Sequence, residues 1–347
     1  MIYFKKLLKI IFYNFLFIFI ILLVYELIFG NWFSNRNYGN LFLPLNKSLI
    51  IDKLPYQSNY SILYTTDKNG FRANKYDLSS IDILVVGGST TEEKLIDDND
   101  LWTKVLEKQI NKKILNAGIG GQTSFGHVKM FDLWFSRFDN LRPKNILFYI
   151  GINDALFMIE NINSNRLDEL SDSRIMNSID RDNLIPINKI DRFYQYIKNN
   201  SGLIQLFRFI KGNLISFKYK ISYNPVYVKN NNFDKYVNLN LTIEQKNKIS
   251  LYKQYYLNNL EKIFIKTKKI NSNPIFITQI ISSEHWLYDY LKEINSYTKI
   301  FCKTKNIKCI YLSDNIFLKE DDFYDGIHTN PNGSKKIGLF LSSYLNN

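Results

Sequence analysis

Asp325-Gly-Ile-His328 sets a carboxylate three residues before an imidazole, and far upstream an apolar run ends in Gly87-Gly88-Ser89-Thr90. A hydroxyl nucleophile at a strand end needs a base to take its proton, and an imidazole oriented by a carboxylate is such a base. The chain has only 3 histidines, which makes the pairing less open to coincidence. His127 falls in a helical pattern, and the adjacent pair Glu284-His285 falls in what reads as a helix, so both rank below His328. Taken alone, Ser89 could equally be a helix N-cap and His328 a solvated surface side chain.

Two further segments carry groups suited to developing negative charge. Asn116-Ala-Gly118-Ile-Gly120-Gly121-Gln-Thr123 stands between a strand and a helix, where backbone N–H groups can face a phosphate or an oxyanion. It lacks the Lys-Ser/Thr of a phosphate-binding loop and the spacing of a dinucleotide fingerprint, and a plain turn is the competing reading. In Gly151-Ile-Asn153-Asp154 the Asn153 amide can donate to an oxyanion while Asp154 holds the loop; an ordinary turn explains the same residues.

The elements that would position these residues alternate. Strands are expected at Ile83–Val86, Lys113–Leu115, Ile146–Ile150, Pro274–Thr278 and Lys308–Leu312, with helices at about 98–111, 122–138, 242–270, 284–305 and 332–345. Strands separated by helices imply a parallel sheet covered on both faces, so the fold class is α/β, three-layer α/β/α, with a mostly parallel five-stranded sheet. In such sheets the site gathers beyond the carboxyl ends of the strands, where all four segments fall. Residues 31–80 read as an extended approach segment, with a type I′ hairpin turn at Asn69-Gly70. Residues 155–241, rich in Asn, Asp and Ser, read as an insertion with a helical patch near Ile204–Ile215.

Ahead of all this lies an apolar run from Ile10 to Phe29, interrupted by Asn14 and Glu26. A helix of that length spans the hydrocarbon layer of a bilayer. Lys5, Lys6 and Lys9 precede it and only Arg36 follows closely, so the positive-inside rule keeps the N-terminus cytoplasmic and exports the remainder. A cleaved signal peptide is the competing reading, but the run is long for one and no small-x-small site follows. Residues 1–30 are therefore read as cytoplasmic tip and transmembrane anchor. In an exported domain Cys302 and Cys309 could form a disulfide or remain two buried thiols. The net charge of +13, from 45 basic and 32 acidic residues, is scattered, and no zinc-ligand pattern or basic helix supports nucleic-acid binding.

In their order and strand-end placement the four segments resemble the SGNH/GDSL hydrolase superfamily, in its membrane-anchored branch, over about residues 81–347. Gly-Gly-Ser89-Thr stands where that family has Gly-Asp-Ser; the replaced Asp is not the nucleophile. The resemblance implies a flavodoxin-like sheet, a catalytic triad of Ser89, Asp325 and His328, and an oxyanion hole completed by Gly121 and Asn153. Gly118 is the lesser choice there, because the family's glycine stands just before the Gln-Thr pair. It implies no metal and no cofactor. An α/β-hydrolase is disfavoured because Ser89 is not in Gly-x-Ser-x-Gly and the Asp–His spacing is short. The implied activity is a membrane-anchored serine esterase removing O-acyl groups from extracytoplasmic glycans or lipids. An O-acyltransferase using the same triad is the alternative, and a non-catalytic envelope scaffold stands behind both.

Overall fold

A computed structural model describes residues 2–30, 61–164 and 243–346 continuously, with scattered positions in 32–57 and 197–210. The expected insertion beyond 164, with its helical patch and Asn run, lies almost wholly outside the described residues. The chain divides into two compact units, Met1–Gly39 with Asp180–Ser222, and Asn40–Ile179 with Tyr223–Asn347.

The first unit holds helix α1, Ile2–Phe29. Its stretch Phe4–Phe29 is long and apolar enough to cross a membrane. Apolar side chains are exposed all round it, Phe12, Phe15 and Ile28 among them. Glu26, the one acid in the run, is not left bare. Its carboxylate accepts the Trp32 indole N–H at 2.7 Å and the Leu203 backbone N–H at 2.9 Å.

The second unit is built on five parallel strands: β3 (Ile83–Gly87), β4 (Ile114–Gly118), β5 (Asn145–Tyr149), β6 (Asn273–Ile277) and β7 (Cys309–Ile310). Their order is β4-β3-β5-β6-β7. The chain leaves β3 on one side for β4 and returns to its other side as β5, which puts the topological switch point at the carboxyl end of β3. Alternation along β3 buries both faces. Leu84 and Val86 join one core with Phe148 and Phe276; Ile83 and Val85 join the other with Leu147 and Ile277. The first core is closed by residues of α4 (Ser124–Leu133), α5 (Ile152–Ser164), α6 (Ile243–Lys269) and α7 (Tyr288–Lys305). The second is closed by α3 (Trp102–Ile110) and α9 (Pro331–Leu345). Two short helices are also present among the described residues, α2 (Ser89–Glu92) and α8 (Leu312–Asn315). The α/β/α class therefore holds.

Several local expectations differ. The strand expected over Lys113–Leu115 runs from Ile114 to Gly118, so residues 116–118 belong to β4 and not to the loop after it. The last strand, expected over Lys308–Leu312, pairs only at Cys309 and Ile310; Leu312 already starts α8, whose Ser313 N–H binds Thr278 Oγ1 at 3.0 Å. Within 48–80 the described residues include paired and buried segments. An antiparallel pair, β1 (Ser48–Ile51) and β2 (Ile62–Thr65), leads into buried Phe71 and Arg72, and Arg72 bridges to Asn116. The Asn69-Gly70 turn is not type I′, since only Gly70 has positive φ (+91°). Asp67 Oδ1 accepts the N–H groups of Asn69 (2.8 Å) and Phe71 (2.9 Å), and Gly70 N–H returns to Asp67 O at 3.1 Å. This is a type I turn followed by a left-handed glycine.

Candidate active site

β3 ends at Gly87, and Gly88 is the N-cap of α2, so Ser89 is the first residue of a one-turn helix. The tightness of the bend explains the glycines. A Cβ on Gly87 would lie 2.0 Å from Thr91 Oγ1, and one on Gly88 would lie 2.7 Å from the Asn153 amide nitrogen. The segment following β7 closes the other side. Asn330 caps α9, its side chain accepting from the N–H groups of Asn332 and Gly333, and Pro331 opens the helix. His328 is thereby delivered just ahead of α9.

The three triad candidates come together across 239 residues of sequence: Ser89 Oγ lies 2.8 Å from His328 Nε2. His328 Nδ1 lies 2.7 Å from Asp325 Oδ2. The other oxygen of Asp325 accepts the backbone N–H groups of His328 (2.7 Å) and Ile327 (3.0 Å), which fixes the loop that carries both residues. Partial burial works against ionisation of Asp325, but the hydrogen bond and charge of His328 and those two N–H groups more than offset it. The carboxyl is held below the usual carboxylate range. Tyr324 stacks on the imidazole, ring centroids 5.6 Å apart and planes 11° apart.

The acceptor side is assembled from two other strand ends. Gly121 has φ +78°, and among the described residues neither its N–H nor that of Ser89 donates a hydrogen bond. Asn153, in the first turn of α5, donates its amide to Gln122 O at 2.9 Å and retains a second amide proton. Gly118 is different: a Cβ there would fall 2.2 Å from Glu92 N, so it packs beneath α2 instead of facing Ser89. Gly120 N–H is already committed to Glu92 Oε2 at 2.8 Å.

Asp154 holds the Asn153 loop, as its position suggested. Its carboxyl accepts from Ser124 N–H (2.9 Å), Ser124 Oγ (2.6 Å) and Tyr252 OH (3.2 Å), which joins the N-termini of α4 and α5. Burial pushes this carboxyl up to about 7 despite those donors. The remaining histidines have other surroundings. His127 is fully buried in α4 beside Met130, and burial pushes it down to about 3. His285 lies in a turn before α7, not inside a helix. Its Nδ1 accepts Leu287 N–H at 3.2 Å, and its ring packs against Gly326 of the triad loop.

Sequence reasoning passed over three buried polar groups around the site. Glu93 has φ +47° at the end of α2 and accepts from Trp102 N–H (2.8 Å), Ser334 Oγ (2.7 Å) and Thr329 Oγ1 (3.3 Å), beneath the residue that follows His328. Burial pushes its carboxyl up to about 8. Arg72 pairs with Asp98 and donates to Glu92 O (3.1 Å) and Ile96 O (2.8 Å). Gln279, just past β6, donates to Thr90 Oγ1. No sequence motif marks any of them, because each is recognisable only by its partners in space.

Cys302 and Cys309 are free thiols. The hydrogen bond between them, together with burial, pushes the Cys302 thiol up.

No family model matches the chain, and no curated protein matches it. Solved structures do. A member of the lipolytic G-D-S-L family from Veillonella parvula is 14% identical, with 76% of this chain and 98% of that one covered, at a TM-score of 0.44. A putative lipolytic protein of the same family from Desulfitobacterium hafniense is 13% identical over 76% and 98% of the two chains, at 0.42. An acetylxylan esterase from Geobacillus stearothermophilus is 10% identical over 75% and 92%, at 0.40. At these scores the similarity is one of outline and does not reach individual residues.

Proposed function

We propose that the chain is a serine ester hydrolase of the SGNH/GDSL type, anchored in a membrane by α1 and acting on O-acyl groups, such as acetyl, of extracytoplasmic glycans or lipids. The observation that carries the reading is the unbroken chain Ser89 Oγ–His328 Nε2–His328 Nδ1–Asp325, with links of 2.8 and 2.7 Å. His328 Nε2 takes the Ser89 proton as Oγ attacks the ester carbonyl, and Asp325 stabilises the imidazolium that results. The oxyanion of the tetrahedral intermediate is held by the N–H groups of Ser89 and Gly121 and by the Asn153 amide. One such donor is typically worth about 2.7–4 kcal/mol at the transition state. The protonated imidazole then returns its proton to the leaving alkoxide. Water, deprotonated by the same Nε2, releases the acid from acyl-Ser89.

Anchoring rests on the length and exposure of Phe4–Phe29, and export on Lys5, Lys6 and Lys9 standing before it. The preference for acetyl esters on glycans rests on the family resemblance and on that location. The test is turnover of p-nitrophenyl acetate by the full chain in detergent, wild type beside Ser89→Ala. Hydrolysis by the wild type and none above background in the variant is expected. Equal rates in the two would end the reading. Supplying an O-acetylated glycan, with free acetate and acetylated acceptor both measured, separates hydrolysis from acyl transfer.

A further inference from the structure

The nucleophile and the Asn153 donor sit on different strand ends, β3 and β5, and their separation must hold to a fraction of an ångström if the oxyanion is to be met as it forms. Something has to set that separation. Gln279 extends from β6, which carries none of the reacting groups, and its side chain is fully used. Nε2 donates to Thr90 Oγ1 at 2.9 Å and to Tyr149 O at 3.1 Å. Oε1 accepts the backbone N–H of Ile152 at 2.5 Å. Thr90 is the residue after Ser89, and Ile152 the residue before Asn153, so one amide grips the immediate neighbours of both.

The grip is itself held. Asn295 of α7 accepts Gln279 N–H at 3.0 Å and donates to Gln279 O at 2.8 Å, doing for this residue what a further strand would do. Gln279 is 1% exposed, so water has little room to replace a lost bond. Its amide cannot be turned over, because the –NH2 would then face the Ile152 N–H. Gly151 (φ +134°) presents that N–H, and a Cβ there would meet Ile294 at 2.9 Å.

We infer that Gln279 is a positioning residue that links the Ser89 turn to the start of α5, so that one side chain ties the nucleophile's neighbour to the oxyanion donor's. This rests on the ester-hydrolase reading above.

The experiment compares full-length wild type, Gln279→Ala, Thr90→Val and the double variant in detergent. Fluorophosphonate titration counts competent Ser89, and kcat and KM for p-nitrophenyl acetate are expressed per labelled site. The expected result is a kcat per site lowered about tenfold or more in Gln279→Ala, with KM within about twofold. Thr90→Val should show a smaller loss in the same direction, and the double variant should be little worse than Gln279→Ala. That non-additivity is the mark of residues acting through one contact. A purely structural role would lower the labelled fraction and leave kcat per site unchanged, which would overturn the inference. Thr90→Val keeps the test decisive if Gln279→Ala does not fold, since wild-type kcat per site in that variant also overturns it. A wild type that never labels at Ser89 would defeat the hydrolase reading and this inference together; one that labels beside unaffected variants defeats this inference alone.

Discussion

Asn153 stands at a neighbouring strand end with its amide nitrogen beside Gly88, and that amide is already oriented by Gln122 O before any substrate arrives. Such preorganisation is what makes a hydrogen-bond donor effective toward charge that develops only in the transition state. Asn153→Ala is therefore expected to lower kcat on p-nitrophenyl acetate by about 10²–10³-fold with KM little changed. A rise in KM at constant kcat would assign Asn153 to ground-state binding instead. Ser89, Asp325, His328 and Asn153 were legible in the sequence as candidates because their signals are local: a residue type beside glycines at a strand end, or a carboxylate three residues before an imidazole. Gln279 and Glu93 were not. A buried glutamine looks like any other until the three atoms it binds are known, and those come from α2, β5 and the first turn of α5.

At the scale of elements, the β1–β2 hairpin is the part that sequence reasoning misjudged. Its Asn- and Tyr-rich texture suggested a spacer, whereas Ile62, Tyr64 and Phe71 are buried and Arg72 is 2% exposed. Arg72 explains why the hairpin stays. Its guanidinium lies 4.2 Å from the Tyr64 ring centre, pairs with Asp98, and donates to the carbonyls of Glu92, the last residue of α2, and Ile96 beyond it. Removing one partner of a buried pair leaves the other charge uncompensated. Arg72→Ala should cost about 3–5 kcal/mol in urea unfolding, with activity failing at lower denaturant than in the wild type. An unchanged unfolding midpoint would mean that the pair is dispensable. The central strands, by contrast, were legible to within a residue or two, since continuous apolar runs between helical patterns leave little choice. The edge strand β7 was overestimated because an apolar run does not reveal where pairing stops.

For the molecule as a whole, two fully buried carboxyls give a definite pH dependence of stability. Glu93 is raised to about 8 and Asp154 to about 7, in both cases by burial. A folded-state value above the unfolded one means that the native state holds these protons more tightly. The stability they contribute is complete below about pH 4 and is lost as pH rises through about 7–8. Glu93→Gln keeps the shape and can satisfy the same partners, since the hydroxyls of Ser334 and Thr329 can accept from an amide. Thermal unfolding of the wild type should therefore move to lower temperature between about pH 5 and pH 8.5, and Glu93→Gln should show a smaller decline. Parallel declines would remove Glu93 as a cause. On the same scale, the sheet order explains why Ser89 is where it is: it follows the strand from which the chain departs to either side.

The most direct measurement is where a fluorophosphonate becomes attached. Full-length wild type, Ser89→Ala and His328→Ala would be treated in detergent, digested, and the modified peptide identified by mass. The account predicts one adduct on Ser89 in the wild type, none in Ser89→Ala, and labelling slowed by about 10³-fold or more in His328→Ala. An adduct on another residue, or labelling of Ser89 at the wild-type rate without His328, would contradict it.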